Sequence, residues 1–307
     1  MSVLLERGLH PERSSDVAMR TAGGLWFALN RTDPREIVAE ARDRGTRALE
    51  VQHRDIGFLA ELPDLEHLVL NTAEPDAEVI NGLHRLRSLA FSFGWKGRLD
   101  FANLPALEWL YLTEADPDRG LETLLAGHTT IRQLAIGRYP ATDLGALANL
   151  PSLERLDLFN ARRFTSLAGA DRVARSLRQL GLARLPRLPS LDGIAALPNL
   201  EYVAVESCSL ITDLAPLRDL PRLRFLNLMQ PKGVASLRPL AGHPSLEYVS
   251  FGRLADGDLT PLREMPRLER INTGSGRYNL DPREFPLLDD LSDDDPERVE
   301  YRSMAVG

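Results

Sequence analysis

The residues of this sequence that could carry chemistry are few and poorly spaced for it. Six histidines stand at positions 10, 53, 67, 84, 128 and 243, and no two share the helical spacing that presents a ligand pair to a metal. His128 and His243 fall on turns, where a structural role is expected. Cys208 is the only cysteine, which excludes an internal disulfide and a cysteine-based metal cluster. The run Asp289-Asp290-Leu291-Ser292-Asp293-Asp294-Asp295 has the acidity of a calcium loop but not its turn glycine or closing glutamate. It reads as a solvated acidic tail. No phosphate-binding loop, dinucleotide fingerprint or nucleophile elbow is present. The expectation is a protein that is not an enzyme, with no cofactor and no metal.

Non-covalent recognition is better served. Residues 155–187 carry Arg155, Arg162, Arg163, Arg172, Arg175, Arg178, Arg184 and Arg187 against only Asp157 and Asp171. Such a belt suits an acidic or phosphorylated partner, or nucleic acid. The plainer reading is arginine-rich surface on convex turns. A second group is aromatic, and its members come together only once the periodicity of the chain is recognised.

The phrase L-x-x-L-x-L recurs with apolar swaps every 21–24 residues. It appears at Leu65-Leu68-Leu70, Leu86-Leu89-Phe91, Leu107-Leu110-Leu112, Ile131-Leu134-Ile136 and Leu153-Leu156-Leu158. It continues at Leu177-Leu180-Leu182, Leu200-Val203-Val205, Leu223-Leu226-Leu228 and Leu246-Val249-Phe251, with a weaker copy at Leu268 and Ile271. A period of about 20–29 residues with this phrase marks a solenoid in which each repeat gives one strand. Leu-Pro-x-Leu precedes many of the strands, as at Pro63, Pro105, Pro151, Pro198 and Pro221. Proline cannot donate to a ladder, so it closes the turn before the strand begins.

Within each strand the leucines point inward and alternate residues point out. The outward columns hold few charges. Tyr202, Phe225 and Tyr248 fall in one column on three adjacent repeats, about 5 Å apart by strand spacing, with Gly181 and Ala204 leaving space beside them. Trp109, Tyr111 and Phe159 form a second patch, and Met229 adds a flexible apolar side chain. Aromatics among small neighbours are the composition of interface hot spots. The alternative is that the rings only stack across strands and stabilise the sheet. The expected partner-binding set is Trp109, Tyr111, Phe159, Tyr202, Phe225, Met229 and Tyr248, with the arginine belt as the rival surface.

The stretch Ile211-Thr212-Asp213-Leu214-Ala215-Pro216-Leu217-Arg218-Asp219-Leu220-Pro221-Arg222-Leu223 closely resembles the repeats of bacterial internalins and of cytosolic phosphatase-regulatory leucine-rich proteins. The resemblance covers about residues 46–274. It implies an α/β leucine-rich-repeat fold: a right-handed solenoid or horseshoe, with a concave parallel β-sheet and convex short helical or 3-10 turns. It also implies protein binding as the usual role. One column departs from the family. The position three beyond the last strand leucine, usually asparagine, holds Ala73, Gly94, Ala115, Tyr139, Ala161, Leu185, Cys208, Pro231, Leu254 and Gly276. The turns must therefore find other partners, and Cys208 reads as structural.

Four segments are expected: a polar stretch 1–24 with no assigned element, a strand–helix–strand cap over 25–52, about ten repeats over 53–274, and a C-terminal cap with an acidic tail over 275–307. Asp33-Pro34-Arg35-Glu36 and Asp281-Pro282-Arg283-Glu284 carry the chemistry of helix starts. The chain has 307 residues and a net charge of −7, the wrong sign for a protein that lives on nucleic acid. Lys96 and Lys232 are the only lysines, a usage typical of GC-rich bacterial genomes. No stretch reaches the roughly 18 apolar residues of a membrane span, and the opening residues show no basic leader followed by an apolar run. A cytoplasmic bacterial protein is expected, monomeric by default, that binds a protein partner on its concave face. Its narrower forms are a regulatory subunit and an immunity protein that occupies a toxin.

Overall fold

A computed structural model describes residues 18–21, 24–28, 33–113, 125–173, 175–230, 233–274 and 276–286; for 18–28 the backbone alone is described. The acidic run 289–295, Leu287, Leu288, Ala115 and Pro231 lie outside the described residues. The chain forms two compact units, the first ending at Gly137 and the second beginning at Arg138.

The first unit holds seven strands: β1 (Ala18–Thr21), β2 (Gly24–Ala28), β3 (Ala48–Val51), β4 (His67–Leu70), β5 (Ser88–Phe91), β6 (Trp109–Leu112) and β7 (Gln133–Gly137). β1 and β2 form an antiparallel hairpin, and from β2 to β7 each strand pairs in parallel with the next. Helix α1 (Pro34–Asp43) joins β2 to β3, so the expected strand–helix–strand order is present, with β1 added in front. Asp33 caps α1 by accepting the Arg35 N–H, Pro34 opens it, and Ile37, Val38 and Ala41 are buried.

The second unit holds β8 (Arg155–Phe159), β9 (Gln179–Ala183), β10 (Tyr202–Glu206), β11 (Phe225–Met229), β12 (Tyr248–Phe251) and β13 (Arg270–Thr273), each parallel to the next. Register is strict: Leu156 pairs with Leu180, Leu180 with Val203, Val203 with Leu226, and Leu226 with Val249. Every residue of the nine full L-x-x-L-x-L sets is buried. In the weaker tenth copy Ile271 is buried and Leu268 half-buried.

Between most of the repeat strands the chain makes a short 3-10 turn, as the short repeat demands, and between β12 and β13 it makes a single α-helical turn, α2 (Thr260–Arg263). An aspartate or serine stands ahead of most of them and accepts the N–H two residues on: Asp55 from Gly57, Asp76 from Glu78, Asp100 from Ala102, Asp143 from Gly145, Ser166 from Ala168 and Asp213 from Ala215. Asp281 opens a 3-10 turn at Pro282–Glu284 with a full capping box, and Phe285 after it is buried. Among the described residues no helix is long and apolar enough to cross a membrane.

The turns after β7, β8, β9 and β10 solve the missing asparagine. Arg138, Asn160, Arg184 and Ser207 occupy one position in successive repeats, and all take a left-handed conformation with φ near 50–55°. Each donates its N–H to the neighbouring repeat: Arg138 to the Phe159 carbonyl at 2.9 Å, Asn160 to Ala183 at 3.0 Å, Arg184 to Glu206 at 2.8 Å and Ser207 to Met229 at 3.0 Å. The next column then only has to fill space, and Tyr139, Ala161, Leu185 and Cys208 do so, all buried.

At the other edge of the strands runs a pattern the sequence carries but the periodicity does not advertise. The residue just after the first leucine alternates in sign: Arg47, Glu66, Arg87, Glu108 and Arg132 in the first unit, then Glu154, Arg178, Glu201, Arg224 and Glu247 in the second. Arg47 meets Glu66 at 2.5 Å, Arg87 meets Glu108 at 2.8 Å, and Arg178–Glu201 and Arg224–Glu247 each close to 2.6 Å. These pairs are solvent-accessible, so each adds less than about 1 kcal/mol. A slip by one repeat would set like charges side by side, so the ladder favours the native register.

Two substitutions separate the core from this edge. Leu156→Ala should lower unfolding free energy by about 2–5 kcal/mol, whereas Arg178→Glu, now between Glu154 and Glu201, should cost less than about 1 kcal/mol. Urea denaturation followed by circular dichroism checks both; an unchanged midpoint for Leu156→Ala would show the register to be wrong.

Candidate partner-binding surface

The strand face of the second unit was expected to present Tyr202, Phe225 and Tyr248 to solvent. It does not. The three rings lie in register on β10, β11 and β12 and form one cluster, but they are only 5%, 4% and 3% exposed. Phe225 and Tyr248 sit 6.4 Å apart between centroids, Ala204 packs against the row, and the Arg224 guanidinium lies 5.0 Å from the Phe225 ring centre. Alternation along a strand fixes where a side chain points, not how much of it its neighbours cover. The row is part of the packing of this unit.

The space expected at Gly181 is also occupied. Asp157 is its register partner, and a Cβ on Gly181 would fall 2.1 Å from Asp157 Oδ1. Arg155 Nε donates to Asp157 Oδ2 at 2.7 Å, and both side chains are largely covered, at 13% and 14% exposure. A largely buried ion pair therefore stands where a shallow recess was expected. The sequence signal was an Arg-x-Asp strand facing a glycine strand.

What remains accessible differs between the units. In the first, Trp109 and Tyr111 are half-buried and stack at 6.2 Å with their planes 8° apart. They lie on a bed of Ala48, Val69 and Ala90. In the second, Met229 is 47% exposed at the end of β11, and Phe159 is half-buried at the end of β8. The Trp109, Tyr111 and Phe159 group thus divides between the two units.

The arginine belt divides too. Arg155 is committed to Asp157, Arg178 to Glu201, and Arg184 to Glu206 at 3.4 Å and to Asn160 Oδ1 at 2.7 Å. Arg162, Arg163, Arg172, Arg175 and Arg187 are exposed and form no ion pair among the described residues. Arg162, Arg163 and Arg187 stand on turns just after a strand, Arg172 and Arg175 on the return before the next.

Chemistry-bearing side chains are otherwise quiet. Among the described residues no group of three or more histidine, cysteine, aspartate and glutamate side chains could hold a metal. Cys208 is fully buried; its Sγ lies 3.4 Å from the Leu182 and Glu206 carbonyls, and burial pushes its thiol up to about 11. His128 and His243 replace the leucine three residues ahead of Ile131 and Leu246, so that His243-Pro244-Ser245-Leu246 stands for Leu-Pro-x-Leu. Both are buried, and burial holds each imidazole below its ordinary pKa of 6.5. The Ser245 N–H points to His243 Nδ1 at 3.4 Å, and Nε2 of each ring has no hydrogen-bond partner among the described residues.

No protein-family model matches the sequence, and no curated protein does either. Solved structures do. An internalin from Listeria monocytogenes superposes with a TM-score of 0.53 at 18% identity, over 76% of this chain and 69% of the internalin. Toll, from a Drosophila Toll–Spätzle complex, gives a TM-score of 0.53 at 15% identity over 79% of this chain, which spans only 34% of that one. Together with one parallel strand per repeat, this decides the architecture. The chain has a leucine-rich-repeat fold. As in such folds at large, its leucine-rich repeats set strands on one side and short turns on the other.

Two outcomes follow. Phe225→Ala should destabilise the protein by about 3–5 kcal/mol, the cost of truncating a buried ring, read as a lower thermal midpoint; a wild-type midpoint would return the ring to the surface. The second concerns pH. With its folded pKa depressed, His243 leaves stability intact above the unfolded value of about 6.5, and stability falls as pH drops through the folded pKa. Urea midpoints at about pH 7 and about pH 5 should therefore separate for the wild type and draw together in His243→Leu, which restores the leucine column. An equal pH response in that variant would assign the acid sensitivity elsewhere.

Proposed function

We propose that this leucine-rich-repeat protein is a non-catalytic interaction module that binds a partner protein through its strand face. The observation that carries this reading is the Trp109–Tyr111 pair: two parallel, half-buried aromatic rings packed against Ala48, Val69 and Ala90. Large rings already fixed in one geometry lose little entropy on binding and supply much of the apolar area of a hot spot. Met229 offers a second, adaptable contact on the other unit. Tyr202, Phe225 and Tyr248 support the face from within rather than touching the partner. The lysine-poor, arginine-rich composition favours a bacterial setting.

The known leucine-rich-repeat structures lend the reading general support, since Toll was captured in complex with Spätzle. The test is affinity capture from the source cell, with the bound protein identified and its affinity measured. Trp109→Ala with Tyr111→Ala should lose at least about 2 kcal/mol of binding, a loss of roughly thirtyfold. The thermal midpoint should fall far less than for Phe225→Ala. Full-strength binding by the double variant would remove the aromatic pair from the interface.

A further inference from the structure

The two edges of the second unit's sheet treat charge in opposite ways. Ahead of the strands, Glu154, Arg178, Glu201, Arg224 and Glu247 alternate, and the pairs Arg178–Glu201 and Arg224–Glu247 are closed. After the strands no such balance exists. The first three turns of the unit carry Arg138, then Arg162 and Arg163, then Arg184 and Arg187, all exposed. Residues 138–142, 160–165 and 184–190 contain no aspartate or glutamate. Asp143, the nearest in sequence, spends its Oδ1 on the Gly145 N–H at 2.9 Å. Glu206, on the next strand end, reaches into the group and meets Arg184, while Arg162, Arg163 and Arg187 form no ion pair among the described residues.

The stacking of the repeats makes this a line rather than a scatter. The N–H of Arg138 bonds the end of β8, that of Asn160 the end of β9 and that of Arg184 the end of β10, so the turns lie one upon another at strand spacing, about 5 Å. Arg163 and Arg187 hold equivalent places, each two residues after a buried column member, Ala161 and Leu185, and one before another, Phe164 and Leu188. Asn160 Oδ1 accepts from Arg184 Nε at 2.7 Å and ties two of the turns together. Like charges so placed raise one another's energy, and guanidinium groups match carboxylates with two parallel hydrogen bonds.

We propose that this post-strand edge, centred on Arg163 and Arg187 and flanked by Arg138, Arg162 and Arg184, docks a carboxylate-rich segment of a protein partner. The proposal rests on the reading of the chain as a protein-binding module and adds a surface and a partner chemistry to it. A chain of net charge −7 repels a long nucleic-acid polyanion at distance. A short acidic stretch within an otherwise mixed protein escapes most of that repulsion while still meeting the local arginines.

The test uses the full chain and a fluorescent peptide of about ten glutamates, followed by anisotropy at roughly 50 and 200 mM salt. Arg163→Glu with Arg187→Glu should weaken peptide binding by about tenfold or more. Arg172→Glu with Arg175→Glu, the same charge change on the opposite side of the repeats, should weaken it by less than about threefold. Wild-type binding should fall at the higher salt. All the substituted residues are exposed, so an unchanged circular dichroism spectrum and thermal midpoint are expected. The proposal is overturned by no measurable peptide binding, by equal losses in the two double variants, or by a single-stranded RNA of about the same charge binding more tightly than the peptide. A chain that captures its partner through Trp109 and Tyr111 yet ignores the peptide would keep the module reading and lose this one.

Discussion

The stacking of one leucine column upon the next is the constraint from which everything else in this chain follows. Among the described residues no strand exceeds five residues, too short to persist alone, and no repeat can bury its own apolar face. Burial is achieved only when Leu156 lies against Leu180, Leu180 against Val203, and so on in strict register. That register turns each sequence position into a line on the surface. An alternation of arginine and glutamate becomes a neutral edge, and a repeated arginine becomes a basic one. Surface chemistry in such a protein is read by column, not by residue.

The columns also explain which losses the fold tolerates. The family's asparagine normally secures the turn after the strand. Here the turn is secured by backbone N–H groups of residues held in the left-handed region, at a strain of order 1 kcal/mol for each non-glycine residue. Once the backbone carries the bond, the following position is free to be Tyr139, Ala161, Leu185 or Cys208, provided it fills the cavity. The same reasoning accounts for the inert cysteine: a thiol chosen for volume sits in a site whose dryness suppresses its ionisation.

The architecture was legible because a period of this kind has few physical solutions, and the residues of its nine full copies are all apolar and all buried. The strand face was legible only in direction. Tyr202, Phe225 and Tyr248 do point away from the leucine core, yet lateral packing and Arg224 leave them almost no exposure, and a one-dimensional pattern does not report coverage. Gly181 looks like empty space in the sequence until its register partner, Asp157, is set beside it. His243 was in plain view: His243-Pro244-Ser245-Leu246 matches the Leu-Pro-x-Leu column residue for residue, but grouping it with turns hid its place in the core. The alternating Arg and Glu column was equally visible and needed only comparison across repeats.

Charge on this chain acts at two ranges, and the difference constrains any partner. At distances beyond about 8–10 Å in physiological salt, screening leaves only the weak average field of an acidic protein. Within that distance the individual edges dominate. The ladder ahead of the strands has little preference of sign, because Arg47, Arg87, Arg178 and Arg224 each already face a carboxylate. The post-strand turns of the second unit have a strong one, because Arg162, Arg163 and Arg187 face none among the described residues. A partner docked on the aromatic pair of the first unit would, by contrast, be held by shape and apolar area and should respond little to salt. A partner that used both surfaces would combine an apolar patch with a separate acidic stretch. Its association rate would then carry the salt dependence, and its residence time the effect of truncating the rings.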